Sequence, residues 1–215
     1  MKNILCYGDS NTWGYTPGTG ARYPRSVRWT GRMAQALGKD YYVIEAGLSG
    51  RTTVYDDPMN PILNGLEYLP MVLKQSAPLD MVILSLGTND LKFVDAIRSA
   101  RGMEKLVDVC KRANATLASS SPIFNENAKI LVVSPIEQSR RMFELNPYSS
   151  FLPEAPEESK KFREIYSHYA KLENVEFFDA ASVASASDVD GVHMSPESHA
   201  ALAAALTEKV LEIFK

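Results

Sequence analysis

Short apolar runs and longer amphipathic segments alternate along this chain. Nearly continuous apolar stretches such as Met81-Val82-Ile83-Leu84 are typical of parallel strands that helices cover on both faces. Runs of this kind predict strands at residues 3–7, 41–46, 81–86, 129–134 and 175–178. Helical periodicity predicts helices, the third with breaks, at residues 27–37, 64–75, 92–119, 157–172 and 196–214.

The alternation of strands and helices predicts how these elements pack. Repeated strand, helix, strand succession is typical of a parallel sheet between two helical layers. We therefore predict an α/β fold, a three-layer α/β/α sandwich whose parallel sheet has about five strands in a flavodoxin-like arrangement. The last helix has the clearest start, because Ser195 is a good cap and Pro196 suits the first helical position.

Composition and charge narrow the class of protein. With 215 residues, of which 45% are hydrophobic, the chain is long enough for one core, so we expect one domain over residues 1–215. No linker, repeat or low-complexity tract divides it. A formal net charge of -3, without a run of like charges, argues against nucleic acid or an anionic membrane as the partner. The expected partner is a small molecule.

The cysteines and the start of the chain bear on location. Cys6 falls in a predicted buried strand and Cys110 in a predicted helix, so both are expected to be core residues in a reducing compartment. The apolar run that follows Met1 is too short for a signal peptide or a membrane-spanning helix. We therefore expect a cytoplasmic protein.

Four polar fragments follow predicted strands. They are Gly8-Asp9-Ser10, Gly47-Leu48-Ser49-Gly50, Gly87-Thr88-Asn89-Asp90 and, after a short connection, Asp190-Gly191-Val192-His193. In parallel sheets, ligands bind outside the carboxyl ends of the strands, where loops and helix N-termini converge. The fragments therefore predict one site that joins both ends of the chain.

The side chains in these fragments suit acyl transfer through a covalent intermediate. A serine hydroxyl becomes a nucleophile when a neutral imidazole accepts its proton, and a carboxylate holds that imidazole in the required tautomer. Asp190 and His193 are three residues apart, and in a turn before a helix this spacing lets the carboxylate reach the nearer ring nitrogen. The far nitrogen then faces Ser10, so these three residues are the expected catalytic residues.

An acyl-transfer site also needs hydrogen-bond donors for the oxyanion that forms. We expect these donors from the backbone of Ser10, from Gly50, where glycine permits close approach, and from the side-chain amide of Asn89. Asp9 and Asp90 are expected to bind loop amides beside the site.

Other polar residues have more than one interpretation. Arg51 is expected either to bind a substrate carboxylate or, more simply, to form a salt bridge with Asp56 or Asp57. His168 and His199 have no serine or carboxylate at an informative spacing, so we interpret them as surface or helix residues.

The substrate pocket is the least defined part of the sequence. Trp13 and Tyr15 either line an acyl or alcohol pocket or belong to the core. The remaining pocket candidates are Asp9, Asn11 and Ser49. Residues 135–156 form a long stretch without periodicity, and such stretches are typical of functional loops. This stretch is interpreted as a lid, a subunit contact or a surface loop folded on its own body.

Three other classes of function are less consistent with the residues. Asp9 would repel the phosphate of a flavin at the loop after the first strand. The chain has three histidines without metal-ligand spacing, so we expect neither a metal nor another cofactor. A non-catalytic module that binds small ligands is the third alternative, but it would be expected to lack one of Ser10, Asn89, Asp190 and His193.

Taken together, the fragments resemble the blocks of the SGNH or GDSL hydrolases, which contribute a serine, a glycine, an asparagine and a histidine. The matching positions are Gly8, Asp9 and Ser10, then Gly50, then Gly87, Asn89 and Asp90, and finally Asp190 and His193. Residues 10–15, 28–31, 51–53, 56–58, 63–65 and 84–90 look like the arylesterase and acyltransferase branch. Glu45 stands where many relatives have asparagine, although this branch is similar in having an acid there.

The resemblance implies a serine esterase for short acyl esters, acetate or similar, of aryl or simple alkyl alcohols. It also implies that the acyl group is transferred to acceptors other than water, and that the protein is a homo-oligomer. A carbohydrate acetylesterase is one alternative within the family. A lysophospholipase or thioesterase is another, but long acyl chains would require an extended apolar groove that the sequence does not show.

Overall fold

A five-stranded parallel sheet forms the centre of the computed structural model, which describes residues 1–215. The strands are β1 (Lys2–Gly8), β2 (Tyr41–Gly47), β3 (Leu79–Ser85), β4 (Phe124–Ser134) and β5 (Glu176–Asp179). Their order across the sheet is β2-β1-β3-β4-β5, and every neighbouring pair is parallel. This is the flavodoxin-like order, so the predicted fold class is confirmed.

Helices cover both faces of the sheet. They are α1 (Ser10–Trp13), α2 (Trp29–Leu37), α3 (Gly65–Ser76), α4 (Ala96–Thr116), α5 (Arg141–Leu145), α6 (Ala155–Ser159), α7 (Phe162–Leu172) and α8 (Pro196–Ile213). Short 3₁₀-helices lie at Gly38–Asp40, Pro61–Leu63, Thr88–Lys92 and Ala180–Ser182. None of the helices combines the length and the apolar character that crossing a membrane requires.

Two apolar cores lie on opposite faces of the sheet because successive strand side chains point to opposite sides. In β1, Leu5 and Tyr7 pack into the core that α3, α4 and α7 cover. Ile4 and Cys6 pack into the core that α2 and α8 cover. Burial of both faces explains why the strands appear in the sequence as nearly continuous apolar runs.

The main differences from the predicted elements concern their ends and breaks. The predicted helix 92–119 is shorter in the structure. It is α4, which begins at Ala96 after the 3₁₀-helix that ends at Lys92, and Asp95 caps its N-terminus through a 2.8 Å hydrogen bond from the Arg98 amide. The predicted helix 157–172 is divided into α6 and α7. Strand β4 begins at Phe124, five residues before the predicted start at 129, in a polar stretch that does not look like a strand.

Candidate active site

The carboxyl ends of three neighbouring strands bring the polar fragments together. The register of the sheet places Gly8 of β1 level with Gly47 of β2 and with Ser85 of β3. The chain leaves the sheet at the same level in each case, and the loop that follows β5 reaches the same edge. The register of the strands therefore explains why the predicted fragments lie together at this edge of the sheet.

Ser10 is held at the first turn of α1, directly after β1. Asp9 caps this short helix, because its Oδ1 accepts a hydrogen bond of 2.9 Å from the Asn11 amide. A Cβ on Gly8 would lie 2.1 Å from Thr12 Oγ1, so only glycine fits where the strand turns into the helix. Gly14 then ends α1 in the left-handed conformation, with φ of 90°.

Ser10, His193 and Asp190 form a continuous chain of hydrogen bonds. His193 Nε2 lies 3.0 Å from Ser10 Oγ, and His193 Nδ1 lies 2.8 Å from Asp190 Oδ2. An ionised Asp190 accepts a hydrogen bond from Nδ1–H, which leaves Nε2 as the acceptor for the Ser10 hydroxyl. A serine in this arrangement is set up for nucleophilic attack.

The turn that contains Asp190 and His193 supports the ionised carboxylate. Asp190 Oδ1 accepts the backbone N–H groups of Val192 at 3.0 Å and His193 at 2.9 Å. Burial opposes ionisation of Asp190, but hydrogen bonds from the ring and backbone of His193 outweigh it and lower the pKa of this carboxyl. The three-residue spacing thus lets Asp190 accept hydrogen bonds from both the ring and the backbone of His193.

The histidine loop is fastened to α1 and packed by an aromatic ring. Asn11 Oδ1 accepts a 2.9 Å hydrogen bond from the Met194 amide, so Asn11 connects the histidine loop to α1. The ring of Tyr15 stacks on His193, with 4.0 Å between the ring centroids and 23° between the planes. Both residues act on the orientation of the imidazole.

Gly50 and Asn89 lie beside Ser10 around one cavity. Gly50 has φ of 87°, a left-handed conformation that favours glycine, and a Cβ there would lie 2.9 Å from Leu63 Cδ1. The Asn89 side chain is buried, and its Nδ2 donates a 3.1 Å hydrogen bond to the Arg51 carbonyl. This bond fixes the plane of the amide.

The cavity in front of Ser10 has a volume of about 490 Å³. Tyr15 and Ser49, both predicted pocket residues, line it together with Lys92 and Val192. A further part of the lining comes from a segment that we call the wall, residues 142–151. The wall residues that line the cavity are Met142, Leu145, Asn146, Ser149, Ser150 and Phe151.

Three of the proposed pocket residues lie outside the lining of this cavity. Asn11 and Asp9 are buried beneath the loops, and burial raises the pKa of Asp9. Trp13 packs instead with Arg22, whose guanidinium lies 5.2 Å from the indole ring and whose Nε donates to the Trp13 carbonyl at 2.7 Å.

The predicted salt bridge of Arg51 with Asp56 or Asp57 is wrong, and Arg51 does not line the cavity. Its guanidinium is buried, donates to the Gly8 carbonyl at 2.9 Å and stacks 4.0 Å from the Tyr7 ring. Asp56 and Asp57 form no salt bridge with it, because their carboxylates accept hydrogen bonds from the Asn64 side chain and the Met59 amide. Arg51 therefore connects the ends of β1 and β2, away from the cavity.

Asp90 binds a loop amide beside the site, as Asp9 does. Its carboxyl accepts the Thr53 amide at 2.8 Å, the Thr53 hydroxyl at 2.5 Å and the Ser99 hydroxyl at 2.7 Å. Burial raises the pKa of Asp90 to about 7, although these hydrogen bonds act in the opposite direction. The Asp90 carboxyl thus links the loop after β2, which contains Thr53, to Ser99 of α4.

The remaining histidines differ from each other. His168 is exposed on α7, as predicted for a surface residue. His199 lies in α8 but is completely buried, and its Nδ1 accepts the Trp29 amide at 3.3 Å. Burial lowers the pKa of His199 to about 4, with nearby Arg32 and Arg28 acting in the same direction.

Sequence reasoning missed Lys92 and did not place the wall. Lys92 had a usable signal, since it lies three residues after Asn89 in a 3₁₀-helix, where such residues share one face. The wall has no comparable signal, because α5 is only five residues long and is flanked by irregular backbone.

A parallel sheet of this order, with serine, glycine, asparagine and histidine at its carboxyl edge, is the arrangement of a carboxylic ester hydrolase. A model of the GDSL-like lipase/acylhydrolase family, whose members are also called SGNH hydrolases, matches residues 6–201. The chain belongs to this family. The predicted family and the predicted class of enzyme are confirmed.

Solved structures extend this result over the full chain. The native M. smegmatis aryl esterase is 40% identical, with a TM-score of 0.89 and coverage of 99% of this chain and 100% of that chain. Est24, a carbohydrate acetylesterase from Sinorhizobium meliloti, is 38% identical with a TM-score of 0.89, and the match covers 100% of both chains. A search of curated proteins gave no match.

Proposed function

We propose that the protein hydrolyses short acyl esters of aryl and simple alkyl alcohols through an acyl-enzyme on Ser10. The observation that carries this proposal is the pair of hydrogen bonds, 3.0 and 2.8 Å long, that connects Ser10 to His193 and His193 to Asp190. A serine in a structural role needs no such chain, whereas a serine nucleophile depends on it.

The geometry supports the following steps. Ser10 Oγ attacks the ester carbonyl carbon while His193 Nε2 takes the hydroxyl proton. The tetrahedral intermediate collapses, the ester bond to the alcohol breaks, and His193 returns the proton to the leaving oxygen. Water then attacks the acyl-enzyme, again giving a proton to His193, and the acid leaves as Ser10 regains its hydrogen. Asp190 stabilises the imidazolium that forms in each half of the cycle.

We assign the oxyanion to the donors beside Ser10. The backbone N–H groups of Ser10 and Gly50 and the Nδ2 of Asn89 are the three donors. Asn89 is well suited, since its amide is buried and oriented by the Arg51 carbonyl before substrate binds. Preorganised donors of this kind need no rearrangement when the charge develops.

The cavity supports a short acyl group. Only five of its fifteen lining residues are hydrophobic, and the wall contributes six of the fifteen. An extended apolar groove, which a lysophospholipase or long-chain thioesterase would require, is not part of this lining. The expected preference is for acetate or butyrate.

The test is hydrolysis of 4-nitrophenyl esters from acetate to palmitate by the wild type, Ser10→Ala and Ser120→Ala. Ser120 is an exposed serine outside the site and provides the matched control. The expected result is a steep preference for acetate or butyrate that Ser10→Ala abolishes and Ser120→Ala retains. Wild-type rates in Ser10→Ala would refute the mechanism, and a preference for long chains would refute the substrate class.

A carbohydrate acetyl ester is a second candidate substrate. The polar residues Ser49, Asn146, Ser149 and Ser150 line the cavity. These groups suit the hydroxyls of a sugar better than an aryl ring. Acetate release from acetylated xylose at a higher kcat/KM than from phenyl acetate would favour this candidate, and the reverse order would exclude it.

Acyl transfer to alcohols belongs to the same proposal. Met142 and Val192 are buried, and Phe151 adds a further apolar surface to the cavity beside Ser10. Such a surface reduces the number of waters near an acyl-enzyme and favours an alcohol acceptor. Formation of an alkyl acetate from phenyl acetate and added alcohol is the readout.

We also propose that the protein is a homo-oligomer. Large apolar side chains are exposed close to the cavity, with Tyr148 at 94% and Leu145 at 50% exposure. A second copy of the chain that covers them would narrow the entrance to the cavity. Light scattering after size-exclusion chromatography distinguishes a stable oligomer from a monomer.

A further inference from the structure

Lys92 is the only lysine or arginine that lines the cavity. Asp190 is the only acidic residue of the lining, and its carboxylate is occupied by His193. None of the salt bridges of the protein involves Lys92. The cavity therefore contains one cation without a bound counter-ion.

Lys92 lies close to the proposed oxyanion donor Asn89 in the chain and close to the wall in space. Asn89 and Lys92 are three residues apart in the 3₁₀-helix Thr88–Lys92, and side chains at this spacing share one face of such a helix. Lys92 Nζ lies 5.4 Å from the centre of the Phe151 ring on the wall. The ammonium group therefore lies near Phe151 of the wall, on a residue that shares one helix face with the proposed oxyanion donor.

Because Lys92 is partly buried, binding of an anion to its ammonium group is favourable. Desolvation lowers the pKa of Lys92, while the more distant charges of Asp57 and Asp9 act to raise it. Neither carboxylate is close enough to form an ion pair. A substrate carboxylate in the cavity would supply the missing partner through a charge-assisted hydrogen bond.

We propose that Lys92 is a specificity residue that selects esters carrying a carboxylate in their acid or alcohol portion. This inference rests on the proposed esterase function and names a substrate class for the same site. Asn146 and Ser149, which line the cavity from the wall, offer further donors to the same carboxylate. A neutral ester leaves the ammonium group without a partner.

The experiment compares matched pairs of anionic and neutral esters. In one pair, 4-acetoxybenzoate and 4-acetoxybenzamide, the charge lies in the alcohol portion. In the other, ethyl hydrogen succinate and ethyl succinamate, it lies in the acid portion. For each pair, the ratio of kcat/KM for the anionic ester to that for the neutral ester is measured in the wild type, Lys92→Met, Lys92→Gln and Lys92→Arg. Lys39→Met removes an exposed lysine outside the site and is the control.

We expect at least one ratio to fall by roughly 10- to 100-fold in Lys92→Met and Lys92→Gln, the range for loss of a charged hydrogen bond. Lys92→Arg keeps most of the ratio, and Lys39→Met does not change it. The pair whose ratio falls identifies the portion of the ester that contacts Lys92. Added salt lowers the ratio in the wild type only moderately, since the site is partly buried.

Three results would overturn the inference. If hydrolysis depends on Ser10 but both ratios are equal in the wild type and in Lys92→Met, the esterase function stands and the selectivity for carboxylates does not. If Lys92→Met slows every ester by the same factor, Lys92 only supports Phe151 and the wall. Absence of Ser10-dependent hydrolysis of all four esters, and of the 4-nitrophenyl series, would overturn both proposals.

Discussion

His193 and His199 lie six residues apart, yet their surroundings differ in every respect that matters for chemistry. His193 is in a loop at the carboxyl edge of the sheet, with partners at both ring nitrogens, Asp190 and Ser10. His199 is in the first turns of α8, where Nδ1 accepts a backbone amide and Nε2 has no partner. The partners of His193 suit the proton transfers that we propose for it, whereas burial beside Arg32 and Arg28 disfavours the cation of His199.

The comparison shows that the partners of a histidine, more than its position in the chain, determine what it can do. A carboxylate at one nitrogen of His193 stabilises its cation, and the cavity gives it access to substrate. The nearest charges around His199 are Arg32 and Arg28, which oppose protonation. The buried imidazole of His199, which lies beside cations, therefore serves in packing, although it is the same chemical group as that of His193.

The largest expected effect separates the two histidines by activity. His193→Ala removes the proposed base, and kcat on 4-nitrophenyl acetate should fall by about 10⁴-fold or more, by analogy with other serine hydrolases. His199→Gln should retain activity within about tenfold at pH 7.5, where the wild-type imidazole is neutral. Equal losses in the two folded variants would remove the distinction drawn between them.

A second prediction concerns the partner that distinguishes His193. Asp190→Asn retains the size of the side chain but removes the charge that holds the Nδ1–H tautomer, so kcat should fall by roughly 10³- to 10⁴-fold. The midpoint of urea denaturation of this variant is measured at the same pH, so that a loss of activity is not confused with unfolding. A small change in kcat would show that the 2.8 Å contact between Asp190 and His193 is structural only.

The third prediction uses pH and stability. The ordinary pKa of histidine is 6.5, and in the folded protein that of His199 is about 4, so the folded state binds fewer protons between these values. The free energy of unfolding should therefore decrease as the pH falls from about 6.5 to 4, by on the order of 3 kcal/mol from this residue. At pH 7.5 this contribution is fully present.

Urea denaturation of the wild type, His199→Gln and His168→Gln from pH 7.5 to 4 checks this prediction. His199→Gln should lose part of the pH dependence, while His168→Gln, which changes an exposed histidine, should follow the wild type. Parallel curves for the wild type and His199→Gln would mean that the buried imidazole does not resist protonation as described.

The smallest expected effect concerns the aromatic ring that stacks on His193. Tyr15→Leu removes a stacked neighbour that orients the imidazole and favours its cation, so kcat should fall by about tenfold or less. Tyr15→Phe retains the stacking and should keep most of the activity. If Tyr15→Phe is as slow as Tyr15→Leu, the hydroxyl rather than the ring is the functional part.

Much of the fold was predictable because burial on both faces makes the strands apolar throughout, as in Met81–Leu84. The fragments of the candidate site were predictable for a related reason. Each follows a strand, directly or through a connection, on the edge of the sheet where topology brings distant residues together. Turns of this kind need particular residues, such as glycine at positions 8 and 50.

The parts that were missed depend on contacts between loops. The wall belongs to a stretch without periodicity, and its position against Ser10 depends on packing that no local pattern encodes. Arg51 was expected to pair with a nearby acid, but backbone carbonyls at two strand ends and the Tyr7 ring surround it instead. The burial of His199 likewise follows from the packing of α8 on α2, which the histidine itself does not signal.

Trapping the acyl-enzyme tests the central claim most directly. Wild-type protein is mixed with excess 4-nitrophenyl acetate and quenched in acid within the first turnover, and its peptides are then analysed by mass spectrometry. The account predicts a burst of 4-nitrophenol and one acetyl group on the peptide that contains Ser10, both absent from Ser10→Ala. Turnover without an acetylated Ser10, or with the acetyl group on another residue, would contradict it.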